Sequence, residues 1–178
     1  MKKVLVPLAE GCEEIEAVTV IDVLRRAGFE VVAAGLHAGP LTASRGVRLV
    51  PDTTIDAVQP LDFDAIVVPG GNGGVQNLLQ DARVLDAIRA LHGAGRWVCA
   101  ICAGPLVLQA AGVLNGVRAT CYPGVELAAT PRVNERVVVD GRVITSQGPG
   151  TTLAFALEIV RQLDGAATAQ RVASGLLA

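Results

Sequence analysis

Aromatic residues are scarce, only 3% of the 178 residues, so the core of this chain must be built from Val, Leu, Ile and Ala. No excess of basic charge exists either. The net charge is −2 and the pI about 5.7, which removes the electrostatic case for nucleic acid or an anionic membrane surface as partner. No apolar run reaches the roughly 18–20 residues that span a bilayer. The start, MKKVLVPLAEGCEE, has two lysines and a short apolar run, but Pro and acids follow too soon for a secretory signal, and the expected location is the cytoplasm. Histidine is nearly absent: His37 and His92 are the only two. His37 falls in a loop and His92 near a helix end, both expected at the surface, so a Cys–His hydrolase lacks an evident base. Linker-like tracts, low-complexity runs and repeats are missing, and 51% of residues are hydrophobic, enough for one domain over residues 1–178 with a sizeable core.

Four cysteines are present: Cys12, Cys99, Cys102 and Cys121. A cytoplasmic chain of this size rarely depends on disulfides. Cys99 and Cys102 have CxxC spacing, but no second CxxC or His pair completes a zinc site, and Cys99 falls inside a predicted strand, so no metal is expected. Cys121 is expected to be a bystander, with a resolving thiol as the alternative.

The stretch Arg96–Gln109, RWVCAICAGPLVLQ, organises the chain. Trp97 to Ile101 has the length and apolar content of a buried strand. Pro105 suits the first turn of a helix that continues to Ala111. Cys102 therefore falls on a sharp bend from strand to helix, where free N–H groups and the positive dipole end should ease loss of its proton. The alternative is a small apolar residue packed under a turn.

Around it, strands are predicted at residues 3–9, 29–34, 64–68, 136–139 and 142–146, with a short hairpin within 40–50 and a connector over 51–61. Helices are predicted at 13–27, 75–92 with a break near Asp81, 152–163 and 166–177. Such alternation implies a mostly parallel sheet with helices on both faces. Ligands of such sheets sit beyond the carboxyl ends of the strands. Three loops leave those ends, at residues 10–16, 69–74 and 102–105, and are expected to converge.

Ile15, Val18, Ile21, Leu24 and Ala27 form the apolar stripe of the first helix. Glu13 and Glu14 are expected to be solvated first-turn acids. Glu16 lies at the edge of the stripe, where burial would raise its pKa and suit it to exchange a proton with a thiolate. Gly70, Gly71, Asn72, Gly73 and Gly74 lack the context of a dinucleotide or P-loop motif. Two readings remain open for them: an oxyanion pocket made by backbone N–H groups around Gly71 and Ala103, or a tight turn.

Six segments in register resemble the ThiJ/PfpI family, in the branch that holds Parkinson disease protein seven and its bacterial relatives. They are Glu10–Glu16, Arg25–Gly28, Ser44–Gly46, Val68–Asn72, Ala100–Pro105 and Thr145–Thr151. The resemblance implies a flavodoxin-like three-layer sandwich of the class I glutamine amidotransferase type, usually a homodimer. It implies Cys102 as elbow nucleophile and redox-sensitive thiol, Glu16 as the protonated acid beside it, and Gly71 and Ala103 as N–H donors, with Gly70, Asn72 and Tyr122 as further pocket residues. It implies cofactor-free conversion of methylglyoxal, glyoxal or their early adducts, with Glu16 moving the proton of isomerisation. Oxidation sensing or chaperone activity is the second family theme, and a PfpI-type hydrolase the third. One departure concerns Tyr122, which stands where many members carry a His, and which either donates a hydrogen bond or walls the pocket.

Overall fold

The computed structural model describes all 178 residues. Its elements are β1 (Lys3–Leu8), α1 (Glu14–Arg26), β2 (Glu30–Gly35), β3 (Leu41–Thr42), β4 (Arg48–Leu49), β5 (Thr53–Thr54), β6 (Ala65–Val68), α2 (Asn72–Leu79), α3 (Ala82–Gly93), β7 (Trp97–Ile101), α4 (Pro105–Ala110), β8 (Val137–Asp140), β9 (Val143–Ser146), α5 (Thr152–Asp164) and α6 (Ala166–Leu176). Seven strands form one sheet in the order β5-β2-β1-β6-β7-β9-β8, parallel throughout except for β8. β3 and β4 make the separate hairpin expected within residues 40–50.

Side chains alternate across the sheet and feed two cores. Val4, Val6 and Leu8 of β1 point to one side, with α1, α5 and α6; Leu5 points to the other, with α2, α3 and α4. The result is the three-layer sandwich with helices on both faces. β7 lies in the interior of the sheet and all five of its residues are buried, which explains its unbroken apolar run. Cys99 belongs to that buried strand.

Three expectations need correction. The connector over residues 51–61 contains β5, a two-residue edge strand held only by β2 (Ala34 opposite Thr53), too short to leave a periodic signal. The buried face of α1 is also rotated from the predicted stripe: Glu16, Ala17, Val20, Val23 and Leu24 are buried, while Ile15 and Val18 are 54% and 47% exposed. Glu13 and Glu14, expected in solvent, are buried as well. The cause is tertiary. The first turn of α1 docks against the loops that carry Ser44 and Gly70 instead of facing water.

The break at Asp81 separates α2 from α3, and the Asp81 carboxylate caps α3 by accepting the Arg83 N–H. Residues 112–131 form an irregular loop beside the carboxyl end of β7, tied to the bend by the Tyr122 N–H donating to the Cys102 carbonyl at 2.9 Å.

Candidate functional site

β7 ends at Ile101 and α4 begins at Pro105, in the first helical position. Cys102 occupies the bend with φ +64°, the left-handed region that a residue with a Cβ adopts only when its surroundings hold it there. They do so from two sides: the Cys102 N–H donates to the Ser146 carbonyl at 3.0 Å, and its carbonyl accepts from Tyr122. This conformation turns the side chain off the sheet and into a cleft of about 530 Å³.

The loops after β1 and β6 meet this bend backbone to backbone. The Glu13 N–H donates to the Gly70 carbonyl at 2.9 Å. Gly71 has φ +88°, and a Cβ there would lie 2.4 Å from the Gly11 oxygen and 2.6 Å from the Glu13 nitrogen. Gly70 is just as confined, since a Cβ would stand 2.6 Å from Cys102 Cβ and 2.7 Å from Glu16 Oε2. Both glycines are therefore needed for close approach. Gly71→Ala should cost about 3 kcal/mol, from the left-handed backbone and the clash with backbone atoms that cannot swing away. Thermal unfolding would show a fall of about 10 °C in Tm, and a change under about 2 °C would overturn this account.

Glu16 is fully buried, with Oε2 accepting the Gly70 N–H at 2.7 Å and Oε1 left without a partner. Its carboxyl lies in hydrogen-bond contact with the Cys102 thiol. Burial pushes Glu16 up to about 7, against the Gly70 and Cys102 hydrogen bonds. Burial first, and the Glu16 charge second, push the Cys102 thiol up to about 12, while the Ala103 and Gly71 N–H groups pull it down. Burial of the sulfur thus works against the expected easing of proton loss at this bend. α4 is a six-residue helix, and its first N–H groups act on a sulfur that is half-buried. The two groups are neighbours that burial pushes the same way, so the proton they share is held by the pair rather than by either alone. That single proton has two homes, and with it on Glu16 the sulfur is a thiolate facing the N–H groups of Gly71 and Ala103.

The structure brings Cys102, Gly71, Asn72, Ala103 and Tyr122 to one cleft. Asn72 is the exposed first residue of α2, and Tyr122, half-exposed, lies with its ring over Gly148. Gly70 is buried behind the cleft and its N–H is taken by Glu16, so it offers no donor to a substrate. His37 is exposed and His92 half-buried, and neither lines the cleft. Cys121 is fully buried in the core on the opposite face from α1, its thiol donating to the Val125 carbonyl at 3.3 Å. Three residues to which the sequence reading gave no site role also line the cleft: Glu13, Ser44 and Arg45. Their signal was the Glu10–Glu16 and Ser44–Gly46 segments, which carried no site role for these three. No three His, Cys, Asp or Glu side chains cluster in a way that would hold a metal ion, and no helix is long and apolar enough to cross a membrane.

Residues 2–162 match the model of the DJ-1/PfpI family. Protein dj-1beta of Drosophila melanogaster is 42% identical over 181 residues, covering 99% of this chain and 97% of that protein. The glutathione-independent glyoxalase DJR-1.2 of Caenorhabditis elegans is 39% identical over 160 residues, covering 88% of this chain and 85% of its own. Among solved structures, oxidized DJ-1 of Toxoplasma gondii superposes with a TM-score of 0.95 at 38% identity, covering 99% of this chain and 98% of that one.

Proposed function

The chain belongs to the DJ-1/PfpI family, and on that premise we propose that it is a cysteine-dependent, cofactor-free glyoxalase or deglycase acting on methylglyoxal, glyoxal or their early adducts. The observation that carries this reading is the Cys102 thiol on a left-handed bend, opening into a cleft and paired with the buried carboxyl of Glu16. The glyoxalase-named relative at 39% identity supports it.

In the first step the Cys102 thiolate attacks the aldehyde carbon of methylglyoxal and an S–C bond forms. The new alkoxide takes the proton held by Glu16, with the Gly71 and Ala103 N–H groups facing the developing charge. The resulting hemithioacetal isomerises to a lactoyl thioester. Water then adds to the thioester carbon, the C–S bond breaks, and lactate leaves. Glu16 recovers its proton from the water, so the pair returns to its starting state. Tyr122 walls the cleft beside this chemistry, its N–H bonded to the Cys102 carbonyl. The reading includes a cytoplasmic homodimer, supported by the exposed apolar groove along Ile15, Val18 and Leu153. The deciding experiment is lactate formation from methylglyoxal by wild type and Cys102→Ala side by side.

A second reading, oxidation sensing at the same thiol, draws support from the oxidized state of the Toxoplasma gondii relative and from unequal burial of the cysteines. Cys12, Cys99 and Cys121 are fully buried, whereas Cys102 reaches the cleft. Mild peroxide should add oxygen to the Cys102 peptide alone, read by mass spectrometry after digestion. Oxygen found first on any of the other three would sink this reading.

A further inference from the structure

Glu16 is fully buried, and that limits which protons it reaches. Its carboxyl sits between the Gly70 N–H and the Cys102 thiol, behind the wall of the cleft, and it is not among the cleft-lining residues. Isomerisation of a hemithioacetal needs a base at the two substrate carbons, and these lie one and two bonds beyond the sulfur, out in the cleft. Of the residues that line that space, one is acidic, Glu13.

Glu13 is held for such a task. Its backbone N–H is fixed to the Gly70 carbonyl, which ties it to the loop that carries the Gly71 donor. Its carboxyl accepts the Ile15 N–H as the cap of α1, at 3.5 Å. The Ser44 hydroxyl lies 2.7 Å from Glu13 Oε2 and 2.8 Å from Glu14 Oε2. Glu14 is also bonded to the Arg45 N–H, so the three side chains form a braced unit along one wall. The Arg45 guanidinium lines the same cleft and has no ion-pair partner, leaving it available to a negatively charged oxygen on the substrate.

We propose that Glu13 is a second catalytic carboxyl, the base that carries the substrate hydrogen from C1 to C2, while Glu16 serves the sulfur and the oxygen formed on first attack. This inference rests on the glyoxalase reading of the same site. The Glu13 carboxylate removes the C1 proton of the hemithioacetal, the C–H electron pair becomes the second bond between C1 and C2, and the C2 carbonyl π pair moves onto its oxygen to give an enediolate. Its charge develops on the C2 oxygen, an anion of the kind the unpaired Arg45 guanidinium can meet. The hydroxyl proton on the C1 oxygen passes to the C2 oxygen. Glu13 returns its proton to C2, which re-forms the C1 carbonyl as the lactoyl thioester. No electron acceptor is needed, because C1 is oxidised as C2 is reduced, and each carboxyl ends in its starting state.

The test compares wild type with Glu13→Gln, which keeps an acceptor for the Ile15 N–H and a polar partner for Ser44. Two rates are measured: lactate release from methylglyoxal, and iodoacetamide alkylation of Cys102. Glu13→Gln should lower kcat about 10²-fold, the ordinary loss on removing a general base, with alkylation within about twofold of wild type. A kcat within about threefold of wild type overturns the proposal, as does an equal loss in both rates, which marks a disturbed fold. A wild type that releases no lactate above Cys102→Ala overturns the glyoxalase reading and this proposal together, a result distinct from an active Glu13→Gln beside an active wild type.

Discussion

Cys102→Ala should abolish lactate formation from methylglyoxal, leaving only the rate seen without protein. The expectation is this strong because every step of the proposed reaction is carried on the sulfur: attack, isomerisation and hydrolysis all occur on an S–C bond. The cleft, the Gly71 and Ala103 N–H groups and Glu13 all remain in the variant, so any residual rate measures what binding and electrostatics contribute without the nucleophile. Ala also keeps the fold. The Cys102 side chain is half-buried, so its loss removes little packing, and the backbone bonds to Ser146 and Tyr122 do not involve the sulfur. A circular-dichroism spectrum and Tm like those of wild type should accompany the loss of activity. Turnover by Cys102→Ala at more than about a tenth of the wild-type rate would end the thiol mechanism.

Much of this site was legible from one stretch of chain. The run Trp97–Ile101 is apolar because β7 lies inside the sheet, and Pro105 marks the first turn of α4, so the bend at Cys102 follows from local rules alone. Convergence of three loops follows from the parallel topology, which gathers the carboxyl ends of its strands on one side. Glu13 and Ser44 were not legible, because their burial comes from partners far along the chain: Ser44 lies 31 residues from Glu13, and Gly70 receives the Glu13 N–H from another loop. Helical periodicity likewise failed at Ile15 and Val18. It finds an apolar stripe, but α1 carries two such faces, and only tertiary packing decides that the face with Ala17, Val20 and Leu24 goes inside.

The acidity of Cys102 shows the same division between local and distant causes. A helix end near the sulfur is visible in sequence and favours the thiolate. Desolvation by the surrounding loops is not visible there, and it is the largest cause of the upward push on the thiol. In the proposed mechanism the partner that answers this is Glu16, far earlier in the chain. On that proposal Glu16 takes the proton that the sulfur gives up, and the carboxyl matters more than the helix end.

Glu16→Gln should therefore separate fold from reactivity. The amide keeps the size of the buried side chain and an oxygen to accept the Gly70 N–H, but it has no proton to exchange with the sulfur. In wild type the pair loses its first proton at about 7, so alkylation of Cys102 by iodoacetamide should rise with pH around that midpoint. In the variant the thiol must ionise alone in a desolvated setting, so the midpoint should move up and alkylation at pH 7 should fall at least about tenfold. Lactate formation should fall further, about 10³-fold, because the alkoxide also loses its proton donor. Stability provides an independent reading of the same carboxyl. A carboxyl raised from 4.5 to about 7 on folding binds its proton more tightly in the native state. Its stabilising effect is full at low pH and is lost as pH climbs from about 4.5 to about 7, by about 3 kcal/mol for a fully buried group. Urea unfolding of wild type across that window should show the decline, and Glu16→Gln should flatten it. A variant that keeps both the wild-type slope and the wild-type alkylation midpoint removes Glu16 from the mechanism and leaves Cys102 to be activated by backbone N–H groups alone.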